Sequence, residues 1–127
     1  MNLCIDVGNT RLKYLIFDQD KEVWYSTSID FSIEVLGTIF EDYYIENVII
    51  SSTRIIDDSW LEFIESRAKC YNLANNDIKI PLTLHYETPE TLGKDRIAAA
   101  IGAAYLFPNE FSIVINAGTC ITSDAIN

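Results

Sequence analysis

The eight residues Asp6-Val7-Gly8-Asn9-Thr10-Arg11-Leu12-Lys13 constrain this chain more than any other stretch. They separate two apolar runs, Leu3-Cys4-Ile5 and Tyr14-Leu15-Ile16-Phe17, each short enough for a buried strand and bounded by turn residues. The expected local structure is a tight β-hairpin with a carboxylate at the end of its first strand. Gly8 admits backbone angles closed to bulkier residues and lets a ligand approach the chain. Successive N–H groups of Gly8, Asn9 and Thr10 then make a concave donor cluster for phosphate oxygens. Thr10 adds a hydroxyl and Lys13 a mobile positive charge. Asp6 repels phosphate, and its use in such a turn is to hold a hydrated Mg²⁺ that bridges to the phosphates. Gly-Asn is also a favoured dipeptide of ordinary hairpin turns, which is the plainer account of the same residues.

The remaining chain predicts a mixed α/β order. Residues 2–7, 11–18 and 21–27 form a strand meander. Phe31, Val35, Ile39 and Tyr43 share a helical face within 31–43. Val48-Ile49-Ile50 predicts a fully apolar strand of the kind buried in a parallel sheet, followed by Ser51-Ser52-Thr53 as a polar loop. A second helix runs from Asp57 or Asp58 to Lys69 and buries Trp60, Leu61, Ile64 and Ala68; its acidic start and basic end suit the helix dipole. Leu73 to Tyr86 is less regular, with Pro81 limiting strand pairing. A third helix spans Thr91 to Leu106, with Ile97, Ile101, Ala104 and Tyr105 as its core-facing stripe. Residues 111–115 predict a strand, and Ile121 begins another.

At 127 residues, 49% of them hydrophobic, the chain is long enough for a domain with a real core. No run approaches the ~20 apolar residues of a membrane span. The N-terminus opens on a strand with no signal-peptide pattern, so cytoplasmic residence is the expectation. The formal charge is −10 and the basic residues are scattered singly. A nucleic-acid partner is therefore not expected, because phosphate neutralisation needs a basic patch. Cys4, Cys70 and Cys120 fit neither a disulfide framework nor a zinc pattern, and packing roles are expected for Cys4 and Cys120. The single His85 reads as structural or exposed.

Two further features carry chemistry. Ile113-Val114-Ile115-Asn116-Ala117-Gly118-Thr119 repeats the plan of Leu3–Thr10: apolar strand, Asp or Asn, small residue, glycine turn with Thr. This weak repeat suggests a duplicated fold whose second copy is cut off, and a chain ending inside a hairpin is expected to be a fragment or truncated product. Gly93-Lys94-Asp95-Arg96 opens the third helix. A helix N-terminus favours anions, an Arg fork grips a carboxylate by two hydrogen bonds, and an Asp accepts a proton from a hydroxyl being phosphorylated. In isolation the tetrapeptide also fits an ordinary helix start with a first-turn acid and a surface charge. Together, a strand-borne Asp, two glycine turns and an acid–Arg pair are the parts of a phosphotransferase, in which positioning and charge neutralisation supply most of the rate.

With these motifs in this order, the chain resembles type III pantothenate kinases, members of the acetate and sugar kinase/Hsp70/actin superfamily. The resemblance covers the whole chain but only about the N-terminal half of a typical member. It implies an α/β, ribonuclease H-like or actin-like ATPase fold: a lobe over residues 1–110 with a mixed sheet flanked by helices, and the first hairpin of a second, incomplete lobe over 111–127. It implies ATP-phosphate binding by Asp6, Val7, Gly8, Asn9, Thr10, Arg11, Leu12 and Lys13, with Thr119 also contacting ATP. It implies pantothenate binding by Tyr86, Gly93, Lys94, Asp95 and Arg96, with Asp95 the catalytic base. Metal sites follow at Asp6 for Mg²⁺ and at Asn116 for a monovalent cation, K⁺ or NH₄⁺. Asn116 departs from the family's Asp there: an amide oxygen ligates a cation but brings no negative charge. The implied activity is ATP-dependent phosphorylation of the pantothenate hydroxyl, the first step towards coenzyme A, in a homodimer; the isolated 127 residues are expected to be inactive. Relatives labelled accessory transcriptional activators supply the alternative of a non-catalytic regulator or scaffold. A sugar kinase or actin-like ATPase is disfavoured by the Gly93–Arg96 motif after Tyr86.

Overall fold

Alternation of large apolar side chains sets the first two strands. β1 (Asn2–Val7) buries Leu3, Ile5 and Val7, and β2 (Leu12–Asp18) buries Leu12, Tyr14 and Ile16. The two pair antiparallel with Val7 opposite Leu12, which is the hairpin expected at residues 8–11. The computed structural model describes residues 1–75, 78–118 and 120–127, in two units, Met1–Ile78 and Lys79–Asn127.

In the first unit, β3 (Lys21–Ser28) continues the meander beside β2, after a turn in which Gln19 takes φ 55°. β4 (Asn47–Ser52) lies parallel to β1 on its other side, and β5 (Lys69–Asn72) lies parallel to β4. The sheet order is β3-β2-β1-β4-β5, a mixed sheet with the first strand at its centre. α1 (Ile33–Asp42) starts where Ser32 Oγ accepts the Val35 N–H, and α2 (Asp58–Glu65) where the Asp57 carboxylate accepts the Ser59 N–H. Leu36 and Ile39 of α1 and Trp60 and Ile64 of α2 share one core with Leu3, Ile5, Val7, Leu12, Tyr14, Ile16, Val48 and Ile50. Tyr14 is buried with its hydroxyl 3.2 Å from Ser28 Oγ, the polar partner a buried phenol needs.

Three expectations are corrected here. Ser51 and Ser52 belong to β4 rather than to a loop, because register with Asp6 and Val7 extends the parallel ladder. Ile49 is 40% exposed, so β4 is not covered on both faces. α2 ends at Glu65 without a basic last turn: the chain turns through Ser66–Ala68, and the Lys69 N–H donates to Glu46 O as β5 begins. Cys4 lies in a strand as expected and Cys70 in β5, which was not expected; burial pushes both thiols upward, Cys70 to about 11, which keeps them protonated.

In the second unit a 3₁₀ turn at Pro89–Thr91 precedes α3 (Lys94–Leu106), so the helix starts three residues later than its spacing predicts. Ile97 is buried, whereas Tyr105 is 69% exposed and does not extend a buried stripe. β6 (Ser112–Ala117) and β7 (Ile121–Ile126) form an antiparallel hairpin that packs on α3. Val114, Asn116, Thr122 and Asp124 alternate with the exposed Ile113, Ile115 and Ile121. Among the described residues, no helix is long and apolar enough to cross a membrane.

Candidate functional site

The Asp6 turn sits at the carboxyl ends of two adjacent parallel strands, where open α/β sheets receive ligands. Asp6 and Lys13 are direct cross-strand partners, with Lys13 Nζ 3.1 Å from Asp6 Oδ2. Both side chains are substantially exposed, so the pair adds only about 0–1 kcal/mol to stability and exchanges easily for a ligand. The Gly8 N–H donates to Arg11 O at 3.0 Å, which closes the turn. It is therefore spent inside the hairpin, and the donors that can meet a phosphate are the Asn9 and Thr10 N–H groups. Gly8 does not take a left-handed backbone, contrary to expectation. Glycine is needed for closeness instead: a Cβ there would lie 3.2 Å from Arg11 O. Asn9, Thr10, Arg11 and Lys13 are exposed, while the Val7 and Leu12 side chains belong to the core and offer a ligand only their backbone.

Two residues of this region carry no signal in the sequence. Thr53 donates its N–H to Val7 O at 3.0 Å, and its hydroxyl lies 3.1 Å from that oxygen and 3.2 Å from Asn9 Oδ1. It ties the end of β4 to the turn and orients Asn9. Ser51 is the in-register neighbour of Asp6 and shares its face of the sheet. Its hydroxyl is buried without a hydrogen-bond partner, a cost that a bound water or phosphate oxygen would remove. In sequence both sit in a polar triplet that reads as loop.

The Gly93 motif is built by the start of α3. Gly93 is the N-cap, and Lys94, Asp95 and Arg96 form the first turn. The Asp95 carboxylate folds back over Gly93 so closely that a Cβ on residue 93 would lie 2.5 Å from Asp95 Oδ1. Asp95 is exposed, at a terminus whose N–H groups favour negative charge. Arg96 reaches across to β7 and grips Asp124 by Nε and Nη2. Tyr86 lies beside it, with the Arg96 Cζ 5.4 Å from the ring centroid. The hydrogen bonds that Arg96 donates to Asp124 hold the guanidinium further above its ordinary pKa, with the neighbouring Tyr86 acting in the same direction and burial opposing. His85 is exposed, in keeping with its bland reading.

Gly93 gives a direct test. Gly93→Ala is expected to cost no more than about 1 kcal/mol of stability, because a flexible carboxylate can swing aside. On the reading of Asp95 as a proton acceptor, it should lower turnover of the intact gene product by roughly tenfold, because the carboxylate is displaced from its place. Steady-state rates set against urea midpoints separate the two effects; unchanged turnover would mean that Asp95 is not held by this contact.

Among the described residues no group of three or more His, Cys, Asp or Glu converges on a metal position. Asp6 nonetheless fits Mg²⁺, which keeps several waters and takes one or two carboxylates together with substrate phosphates. Asn116 lies in β6 with its Nδ2 buried and without an acceptor. Water or a phosphate oxygen fits that nitrogen, and a monovalent cation fits only the amide oxygen. Thr119 lies outside the described residues.

The family model described as type III pantothenate kinase matches residues 2–127. Type III pantothenate kinases of Cytophaga hutchinsonii, Azobacteroides pseudotrichonymphae and Phocaeicola vulgatus are 37%, 34% and 34% identical to it. Each alignment takes in 100% of this chain and 52% of the relative. The chain thus spans about half the length of the curated relatives it matches.

Proposed function

The chain belongs to the type III pantothenate kinase family, and from that premise we propose that the full protein transfers the γ-phosphoryl group of ATP to the terminal hydroxyl of pantothenate, the first step towards coenzyme A. The mixed sheet around a central first strand fits the actin-like ATPase fold of this family. The observation that carries the reading is the start of α3, where an exposed carboxylate lies against a glycine and the next residue is a held guanidinium. That is the chemistry needed for an acceptor carrying both a carboxylate and an alcohol.

In this reading Arg96 binds the pantothenate carboxylate through its remaining N–H groups, beside Tyr86, Gly93 and Lys94. Asp95 accepts the proton of the attacking hydroxyl as its oxygen bonds to phosphorus and ADP leaves. The Asn9 and Thr10 N–H groups, the Thr10 hydroxyl and Lys13 neutralise the phosphates, with Gly8 and Arg11 closing the turn and Val7 and Leu12 fixing its ends. Asp6 would hold Mg²⁺, which supplies charge neutralisation at the phosphates. Asn116 would offer an amide oxygen to K⁺ or NH₄⁺, a weaker ligand than a carboxylate, and Thr119 a contact to ATP. Residues 1–110 would form one lobe and 111–127 the opening hairpin of another. A cytoplasmic homodimer completes the proposal, and the 127 residues alone would lack activity. The test is coupled ADP release by the intact gene product: turnover should depend on pantothenate, and ATP consumption indifferent to pantothenate would remove the assignment.

A further inference from the structure

Arg96 is tethered along one edge. Its Nε lies 3.2 and 3.0 Å from Oδ1 and Oδ2 of Asp124, and its Nη2 lies 2.5 Å from Oδ1. Both side chains are about four-fifths buried, 21% and 18% exposed. The tie joins the first turn of α3 to β7, where Asp124 is the register partner of Val114. A guanidinium is a planar fork of five N–H donors. Asp124 takes the inner edge, made of the Nε–H and one Nη2–H. The outer edge, made of Nη1 and the second Nη2–H, has the geometry to receive another carboxylate by two parallel hydrogen bonds. The Tyr86 ring beside Cζ limits tilting of the plane.

We propose that Asp124 is a positioning residue that aims the outer edge of Arg96 at the substrate carboxylate, and thereby sets the preference for a carboxylate-bearing acceptor over a neutral one. The proposal rests on the kinase reading above. A free arginine would lose much rotamer freedom on binding, and one already held by a partner loses little. A single guanidinium between two carboxylates also explains why α3 and β7 need a charge so far from the Gly93 motif in sequence. Asp124 does not touch substrate in this arrangement; it acts through Arg96.

The test uses Asp124→Asn, which keeps the shape of the side chain, and Asp124→Ala in the intact gene product. Acceptors are pantothenate and its neutral carboxamide analogue. For Asp124→Ala, KM for pantothenate should rise about tenfold with kcat within about threefold, while KM for the carboxamide stays nearly unchanged. Asp124→Asn should lie between wild type and Asp124→Ala. An unchanged or lower KM for pantothenate, or equal losses for both acceptors, overturns the proposal, since Asp124 would then be a latch or a structural prop. The Arg96 Nε–H NMR resonance supplies a readout free of activity: slow solvent exchange in wild type should be lost in Asp124→Ala. If wild type shows no pantothenate-dependent turnover the kinase reading fails on its own, and equal exchange rates in wild type and Asp124→Ala still overturn the positioning role.

Discussion

Asp95→Asn in the intact gene product should lower kcat with pantothenate by about 10²–10⁴-fold while leaving KM within about threefold. The substitution keeps the side chain's shape, so it fits where the carboxylate now lies against Gly93 without a new clash. What it removes is the capacity to take a proton from the attacking hydroxyl. Ground-state binding should survive, because the carboxylate of the acceptor is assigned to Arg96, whose fork is held by Asp124 and not by Asp95. Stability should change little: one exposed first-turn acid at a helix N-terminus is worth about 0.3–1 kcal/mol. Steady-state kinetics over a pantothenate series, with urea unfolding as the control, checks both parts. A kcat within about threefold of wild type would show that the proton leaves by another route and that Asp95 is only a helix-start acid.

The sequence is legible wherever a contact is local or periodic. Alternation along Leu3–Val7 and Leu12–Ile16 gave the hairpin, and the capping pattern at Ser32 and Asp57 agrees with the helix starts. What escaped was non-local. β5 contains only Cys70 and Tyr71 as apolar members, and it exists because β4 offers it a parallel ladder. Ser51 and Thr53 look like loop because their composition is polar. Their importance comes from lying beside Asp6 and Val7, which are 45 and 46 residues away in the chain (51 − 6 and 53 − 7). Asp124 is hidden for the same reason, 28 residues beyond Arg96 and without a motif of its own around it. Gly8 is an intermediate case. Its identity points to a special place in the turn, yet the reason is the approach of Arg11 O and not a positive φ. Site chemistry was thus readable as residue types, while the contacts that orient those residues needed the fold.

The same non-local logic makes Trp60 the side chain on which the first unit depends most. Trp60→Ala should destabilise the chain by about 3–5 kcal/mol, the usual range for truncating a buried large aromatic. Trp60 is 1% exposed and among the largest fully buried side chains, in one core with residues of both helices and of β1, β2 and β4. Its ring meets Phe31 edge-on at 5.0 Å, and Phe31 in turn carries the Arg54 guanidinium, 5.0 Å from its centroid. Removing the indole therefore opens a cavity and also withdraws the support of the aromatic on which Arg54 rests, directly after Thr53 beside the Asp6 turn. Trp60→Phe should be much milder, about 1–2 kcal/mol: it loses volume but also deletes an indole N–H that is buried without an acceptor. Urea unfolding followed by far-UV circular dichroism decides the matter, since fluorescence would change merely because one of two tryptophans is gone. Equal costs for Trp60→Ala and Trp60→Phe would mean that packing volume at this position is not what holds α2 to the sheet.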